Sequence, residues 1–338
     1  MIESFISKVM RGVSLSRSEA SEAMGAIMSG DTPAAQIAAF LTALRIKGED
    51  VEEVTGFVEI MRANATPVST EGDSILDMCG TGGDGAGTFN ISTISSFIVA
   101  AGGVQVSKHG NRAVSSQCGS ADLLSELGVN IEMPVEKLSS CLQEVGMAFL
   151  FAPMLHPAMK HAAGPRRELK MRTIFNLLGP MTNPSNPTLQ LMGVYDFDLA
   201  VLVAEVLQNV GVKRALIVQG ADGLDEVTLT GATRCMELNE NSINEIELNP
   251  DSFNLPRLKT EDISGDFDPN RCGVIATDIL SGKEGPKRDI VVANASAGLY
   301  LGGKSGTFED AARLAEDIID SGKAADLLEK LKEFTARA

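Results

Sequence analysis

Residues Asp77 to Thr93 read DMCGTGGDGAGTFNIST: five glycines, two carboxylates, then a run of small hydroxyl and amide side chains. Glycine lets backbone amides come close to an anion, and the free amides at a helix start favour negative charge. The stretch therefore has the make-up of a phosphate cradle, and three versions of that chemistry compete. Gly80-Thr81-Gly82-Gly83-Asp84-Gly85 satisfies GxGxxG after an apolar run. A dinucleotide loop also needs a helix that opens at once and an acid about 20 residues further on. Here the helix waits until after Phe89-Asn90, and the region 100–108 ends in Lys108. An ATP loop needs Gly-Lys-Ser/Thr, which does not follow. A more general phosphate cradle remains, with Asn90-Ile91-Ser92-Thr93 supplying polar groups at a helix start, against a glycine-rich turn that binds no ligand. Asp84 would repel an anion there unless a divalent cation stands between them or a ribose hydroxyl donates to it.

A second polar stretch, Lys108-His109-Gly110-Asn111-Arg112, follows a short apolar run and precedes Ser115-Ser116. In a parallel sheet, successive strand ends line one edge, and ligands bind there. The stretch is expected beside the glycine loop, bringing two cations to it. His109 is either a proton carrier or a hydrogen-bond donor. Gly119-Ser120-Ala121-Asp122 opens another helix, and with it a second anion-ready N-terminus. Asp225-Glu226 form an acidic pair near Gly223: either a solvated acidic turn or hard oxygen donors of the kind that suit Mg²⁺.

Composition limits the partners. The chain has 338 residues and a net charge of −16. An acidic surface repels nucleic acid and anionic membranes, and 4% aromatics with no Trp leaves little for base stacking. An anionic substrate then needs a locally basic pocket or a metal, which the two polar stretches would supply. The N-terminus lacks a signal pattern and the longest apolar run, near Phe97–Ala101, is too short for a bilayer, so a cytoplasmic protein is expected. Five scattered cysteines without a CxxC pair predict reduced thiols rather than disulfides or a thiolate metal site.

The elements that position these residues are of two kinds. Residues 1–65 read as helices: Ser16 and Glu19 form a capping box, Gly30 ends that helix, Thr32-Pro33 start the next, and another begins near Glu49–Asp50. Ile37, Leu41 and Leu44, then Val54, Phe57, Val58 and Met61, mark their apolar faces. After a polar linker, apolar runs alternate with amphipathic helices, an α/β pattern with a mainly parallel sheet. Strands are expected at Ser74–Met78, Val104–Val106, Met147–Phe151, Leu189–Val194 and Ala215–Gln219. Helices are expected at Ile91–Ala101, Ser120–Leu127, Pro134–Val145 and Leu199–Val210, and over much of the chain from Asp289, with Thr307 as a cap. His156–Leu178 is helical and basic and breaks the alternation, so it is expected to pack with the N-terminal helices.

With these motifs in order, the chain resembles the anthranilate phosphoribosyltransferases of tryptophan biosynthesis. GTGGD at Gly80–Asp84, NIST at Asn90–Thr93, KHGNR at Lys108–Arg112, GSAD at Gly119–Asp122, RTIFNLLGPMTNP at Arg172–Pro184 and DGLDE at Asp222–Glu226 carry the resemblance. Pyrimidine nucleoside phosphorylases are similar in architecture, but DGLDE is not theirs. The resemblance implies a small, discontinuous helical domain (1–70, joined by about 160–185) and a larger α/β domain (74–338), as in class II nucleoside phosphorylases. It also implies a homodimer and transfer of a phosphoribosyl group from 5-phosphoribosyl 1-diphosphate to the amine of anthranilate. By motif, Gly80, Gly83, Asp84, Thr88, Asn90, Ser92, Thr93, Lys108, Ser116 and Ser120 would hold the phosphoribosyl diphosphate. Ser92, Asp225 and Glu226 would bind Mg²⁺, and Gly80, Asn111 and Arg166 would meet anthranilate. No dedicated catalytic acid or base is implied; His109 is the only candidate. Arg167, Lys170 and Arg172 read as surface or hinge charges.

Overall fold

The computed structural model describes residues 2–70, 72, 74–112, 118–265 and 269–338. Four helices come first: α1 (Ile2–Val9), α2 (Arg17–Met28), α3 (Ala34–Lys47) and α4 (Val51–Ala63). Their starts follow the local chemistry. Ser16 Oγ accepts from Glu19 N at 3.3 Å while Ser16 N donates to the Glu19 carboxylate at 2.7 Å. Asp50 and Glu53 make the same reciprocal cap for α4. Pro33 is the N-cap of α3 rather than its first helical residue. The apolar stripes named from periodicity are all buried.

A seven-stranded sheet follows: β1 (Ile75–Gly80), β2 (Gln105–Gly110), β3 (Met147–Phe151), β4 (Leu189–Gly193), β5 (Arg214–Gly220), β6 (Thr233–Asn239) and β7 (Ser242–Leu248). Their order is β3-β2-β1-β4-β5-β6-β7. The first five pair in parallel; β6 and β7 are antiparallel. The connecting and flanking helices are α5 (Ile91–Ala101), α6 (Ser120–Glu126), α7 (Val135–Val145), α8 (Ala152–Leu155), α9 (Lys160–Leu169), α10 (Ile174–Met181), α11 (Ala200–Asn209), α12 (Pro269–Leu280), α13 (Pro286–Leu301), α14 (Phe308–Asp320) and α15 (Lys323–Arg337).

Strand alternation divides the apolar residues between two cores. Leu191, Leu216 and Cys235 join one with α5, α7 and α13–α15, whereas their neighbours Met192, Ile217 and Met236 join the other with α11 and the N-terminal helices. Ala162 of α9 and Ile174, Phe175 and Leu178 of α10 belong to that second cluster. The segment that breaks the α/β alternation thus packs as expected, because its apolar residues are placed for a helical cluster and not for a strand.

Two regions depart from expectation. β2 runs to Gly110, so Lys108 and His109 are strand residues, buried, rather than loop residues. The β6–β7 hairpin and α12 have no counterpart among the expected elements. The hairpin turns at Glu240-Asn241, with Glu240 at φ +52°, and lacks the Asn-Gly or Asp-Gly pair that marks such a turn.

Candidate active site

Gly80 ends β1 and lies in register with Gly193, which ends β4. A Cβ at Gly80 would collide with the Asp225 carboxylate, and one at Gly193 would overlap the Asp225 backbone. Two glycines side by side therefore let the turn after β5 cross the ends of β1 and β4. It carries Asp225-Glu226 to the glycine loop. Gly82 N donates to Asp225 Oδ2 at 2.7 Å, and Ser92 N, in the first turn of α5, donates to Glu226 Oε1 at 3.1 Å. From β2, Lys108 Nζ donates to Met78 O at 2.5 Å and stands 3.4 Å from Ser92 Oγ. Loop, helix start, acidic pair and a buried lysine meet at one sheet edge.

Gly193 is not among the residues expected from sequence; its signal is a glycine closing a strand, which marks close backbone approach. Gly193→Ala must push the Asp225 turn away. The expected result is a loss of kcat/KM of about 100-fold, the scale of a 1 Å misplacement in a catalytic site. Steady-state rates on a folded variant check it, and activity within twofold of wild type would count against this role.

The electrostatics are those of a cation site. Burial, then the nearby Asp84, raises Asp225 to about 7. Burial, then Asp225, raises Glu226 to about 8, although Lys108 and Ser92 pull the other way. Burial lowers Lys108 from its ordinary value. Among the described residues, no three His, Cys, Asp or Glu are grouped to hold a metal by themselves. Mg²⁺ suits such a site, because it takes one or two carboxylates and completes its shell with water and substrate phosphates. Asp225, Glu226 and the part-exposed Ser92 fit that demand. Between about 4.5 and 8 the folded state holds Glu226 protonated where the unfolded chain does not. Folded protein then binds more protons, so metal-free stability falls as pH rises through that window. In chelator, the melting temperature should drop between about pH 5 and pH 8, and Mg²⁺ should restore it at pH 8 more than at pH 5. Glu226→Gln should flatten the drop; an equal slope in both proteins would remove Glu226 as its cause.

The remaining expected residues are distributed unevenly. Asp84 Oδ1 accepts from Ala86 N at 3.2 Å, and Thr88 bridges to Ser264 beside the loop. Asn90 Nδ2 donates to Cys118 O at 3.1 Å, while its Oδ1 is buried without a partner among the described residues. Thr93 is buried in α5. Asn111 is exposed; its carbonyl accepts from Ser120 Oγ and Ala121 N, each at 3.2 Å, so the stretch after β2 touches the start of α6. Ser116 lies outside the described residues.

Only one of the two expected cations is beneath the loop. Arg112 instead pairs with Asp122 at 2.9 Å. Arg166, on α9, is half-buried, lies 5.0 Å from the Phe175 ring centroid and has no ion pair among the described residues. Burial holds it below the usual arginine range. It makes no hydrogen bond to the β1 or β2 ends among the described residues. His109 is buried, its ring 5.1 Å from that of His156, and Nε2 of each is unpartnered among the described residues. Burial, reinforced by His156, lowers His109 to about 3, and burial lowers His156 to about 4. Both are neutral near pH 7. Arg172 is no simple surface charge: it donates to Gly83 O and stacks 3.8 Å from the Tyr195 ring centroid.

Comparison with known proteins defines the class first. Residues 3–65 match the family described as glycosyl transferase family, helical bundle domain, and residues 72–325 match glycosyl transferase family, a/b domain. An anthranilate phosphoribosyltransferase from Moorella thermoacetica is 52% identical over 331 residues, covering 98% of this chain and 97% of its own. One from Acetivibrio thermocellus is 48% identical over 335 residues, covering 99% and 97%. The chain belongs to the anthranilate phosphoribosyltransferase family. The crystal structure of anthranilate phosphoribosyltransferase from Thermus thermophilus superposes with a TM-score of 0.93 at 40% identity, covering 98% of this chain and 99% of that one. The Saccharomyces cerevisiae enzyme in complex with PRPP and Mg matches with a TM-score of 0.90 at 28% identity, covering 100% and 98%. Of the five cysteines, Cys141, Cys235 and Cys272 are buried and Cys79 and Cys118 half-buried. Among the described residues no helix is long and apolar enough to cross a membrane.

Proposed function

We propose that this chain transfers the 5-phosphoribosyl group of 5-phosphoribosyl 1-diphosphate to the amine of anthranilate, releasing diphosphate. The observation that carries the reading is the meeting of the glycine loop, the start of α5, Lys108 and the Asp225-Glu226 pair at one sheet edge. The loop amides and the α5 N-terminus bind and orient the phosphate oxygens. Asp225, Glu226 and Ser92 hold Mg²⁺, which when bound supplies positive charge against the departing diphosphate. The relatives' complexes with PRPP and Mg and with 4-fluoroanthranilate support both the donor and the acceptor.

Displacement at the ribose carbon needs no strong base, because the aromatic amine is neutral near pH 7 and already presents its lone pair. The depressed His109 and His156 agree with that: a neutral imidazole of such low basicity is a poor proton acceptor. Orientation and charge placement supply the acceleration. Arg166 grips the anthranilate carboxylate through paired N–H donors, with Asn111 and Gly80 beside it. Residues 1–70 with about 160–185 form the small domain that carries Arg166 towards the α/β domain. The active form is a homodimer, for which the exposed Met10, Val13 and Ile46 of the helical region offer apolar surface.

Anthranilate fluorescence followed with phosphoribosyl diphosphate and Mg²⁺ tests the reading. Signal loss that needs both additions is expected; no loss with folded protein would refute the transfer.

A further inference from the structure

The glycine loop is held from two sides at adjacent residues. Asp225 accepts from the amide of Gly82, and Arg172 donates to the carbonyl of Gly83. Both glycines have positive φ, 67° and 75°, a backbone shape that side chains rarely adopt, and these two anchors bear directly on it. Arg172 lies in the four-residue linker between α9 and α10, in the segment that packs with the N-terminal helices. Its guanidinium is seated 3.8 Å from the Tyr195 ring centroid, and Tyr195 N donates to Thr81 Oγ1 at 3.0 Å. The tyrosine that supports the arginine is thus itself tied to the loop. Among the described residues no carboxylate pairs with Arg172. Gly83 O is the acceptor that its N–H donors meet among the described residues.

We propose that Arg172 is a positioning residue for phosphoribosyl diphosphate: seated on Tyr195 and bonded to Gly83, it straps the α9–α10 linker to the glycine loop and sets the loop's shape before the diphosphate arrives. Because Arg166 lies six positions earlier in the same segment, the strap also links the acceptor's grip to the donor's cradle. A stacked, forked guanidinium does this through planar geometry, which an ammonium group cannot reproduce. Cation–π stacking and one charge-assisted hydrogen bond are each modest, so the expected effect is on affinity and loop order rather than on folding.

The kinetic half of the test rests on the transfer reading above; the exchange half does not. Hydrogen exchange of residues 80–88 is measured in ligand-free wild type, Arg172→Ala and Arg172→Lys, together with melting temperatures and KM for both substrates. Arg172→Ala should exchange faster over 80–88 and raise KM for phosphoribosyl diphosphate about tenfold, with kcat within about threefold and the melting temperature nearly unchanged. Arg172→Lys should fall between the two, since it keeps charge but not the stacked fork. Tyr195→Leu, which removes only the seat, should move the same two readouts in the same direction and serves if Arg172→Ala does not fold. Unchanged exchange would overturn the strap even if the chain proved inactive in the transfer assay. Faster exchange with an unchanged KM for the diphosphate would also overturn it, as would equal losses for both substrates accompanied by a lower melting temperature. An inactive wild type would sink the transfer reading alone.

Discussion

Asp225→Asn should raise the Mg²⁺ concentration for half-maximal activity by roughly 10- to 100-fold, the usual cost of weakening a metal's protein support. At low Mg²⁺, kcat/KM should fall by about 100- to 1000-fold, the range for removing one electrostatic stabiliser of a developing charge. The substitution is sharp because it is isosteric. The asparagine oxygen still accepts from Gly82 N, so the loop keeps its anchor and only the charge disappears. The same charge is a burden without metal, for burial and Asp84 both resist it. Metal-free Asp225→Asn is therefore expected to melt at a higher temperature than metal-free wild type near pH 8, while losing activity. A magnesium titration and a melting curve in chelator read the two halves. An unshifted magnesium midpoint would show that the carboxylate is not a ligand. A lowered melting temperature would show that its charge is not repelled in the fold.

Arg166→Ala should raise KM for anthranilate by about 10- to 100-fold, as expected for a charge-assisted hydrogen bond of roughly 1.5–3 kcal/mol, and leave KM for phosphoribosyl diphosphate nearly unchanged. A half-buried guanidinium with no carboxylate partner among the described residues is a costly thing to hold ready, which is why it reads as a receptor for an anion. Arg166→Lys should recover only part of the loss, because an ammonium group cannot make the paired contact. Arg167, the exposed neighbour, is the control: Arg167→Ala should be close to wild type. Initial rates against anthranilate concentration decide it, and equal effects at 166 and 167 would shift the assignment to the helix's general charge.

The parts of this site that were legible in the sequence are those whose residue types are constrained by local chemistry. Gly80–Gly85 and Asn90–Thr93 announce backbone approach and a helix start, and the structure brings them to Asp225 and Glu226. The helical starts at Ser16 and Asp50 were legible for the same reason, since caps depend on residues three positions apart. What was not legible depends on tertiary neighbours. Gly193 matters because a turn from β5 crosses it. Arg172 looks like any charge in a basic segment until Tyr195 and Gly83 are placed beside it. Arg112, read as a loop cation, is claimed by Asp122. Lys108 and His109 were expected in a loop; β2 pairs with β3 as far as Gly110, so sheet pairing extends the strand through polar residues that periodicity alone assigns to a turn.

The mechanism requires a single pentose diphosphate bound where β1, α5 and the turn after β5 converge. A crystal of this chain grown with phosphoribosyl diphosphate and Mg²⁺ tests that directly. The predicted result has the diphosphate against Gly82–Asp84 and the start of α5, with an Mg²⁺ about 2.0–2.1 Å from oxygens of both the diphosphate and the Asp225-Glu226 pair. Diphosphate density elsewhere on the chain, with Asp225 still bonded to Gly82 and no metal beside it, would contradict the mechanism.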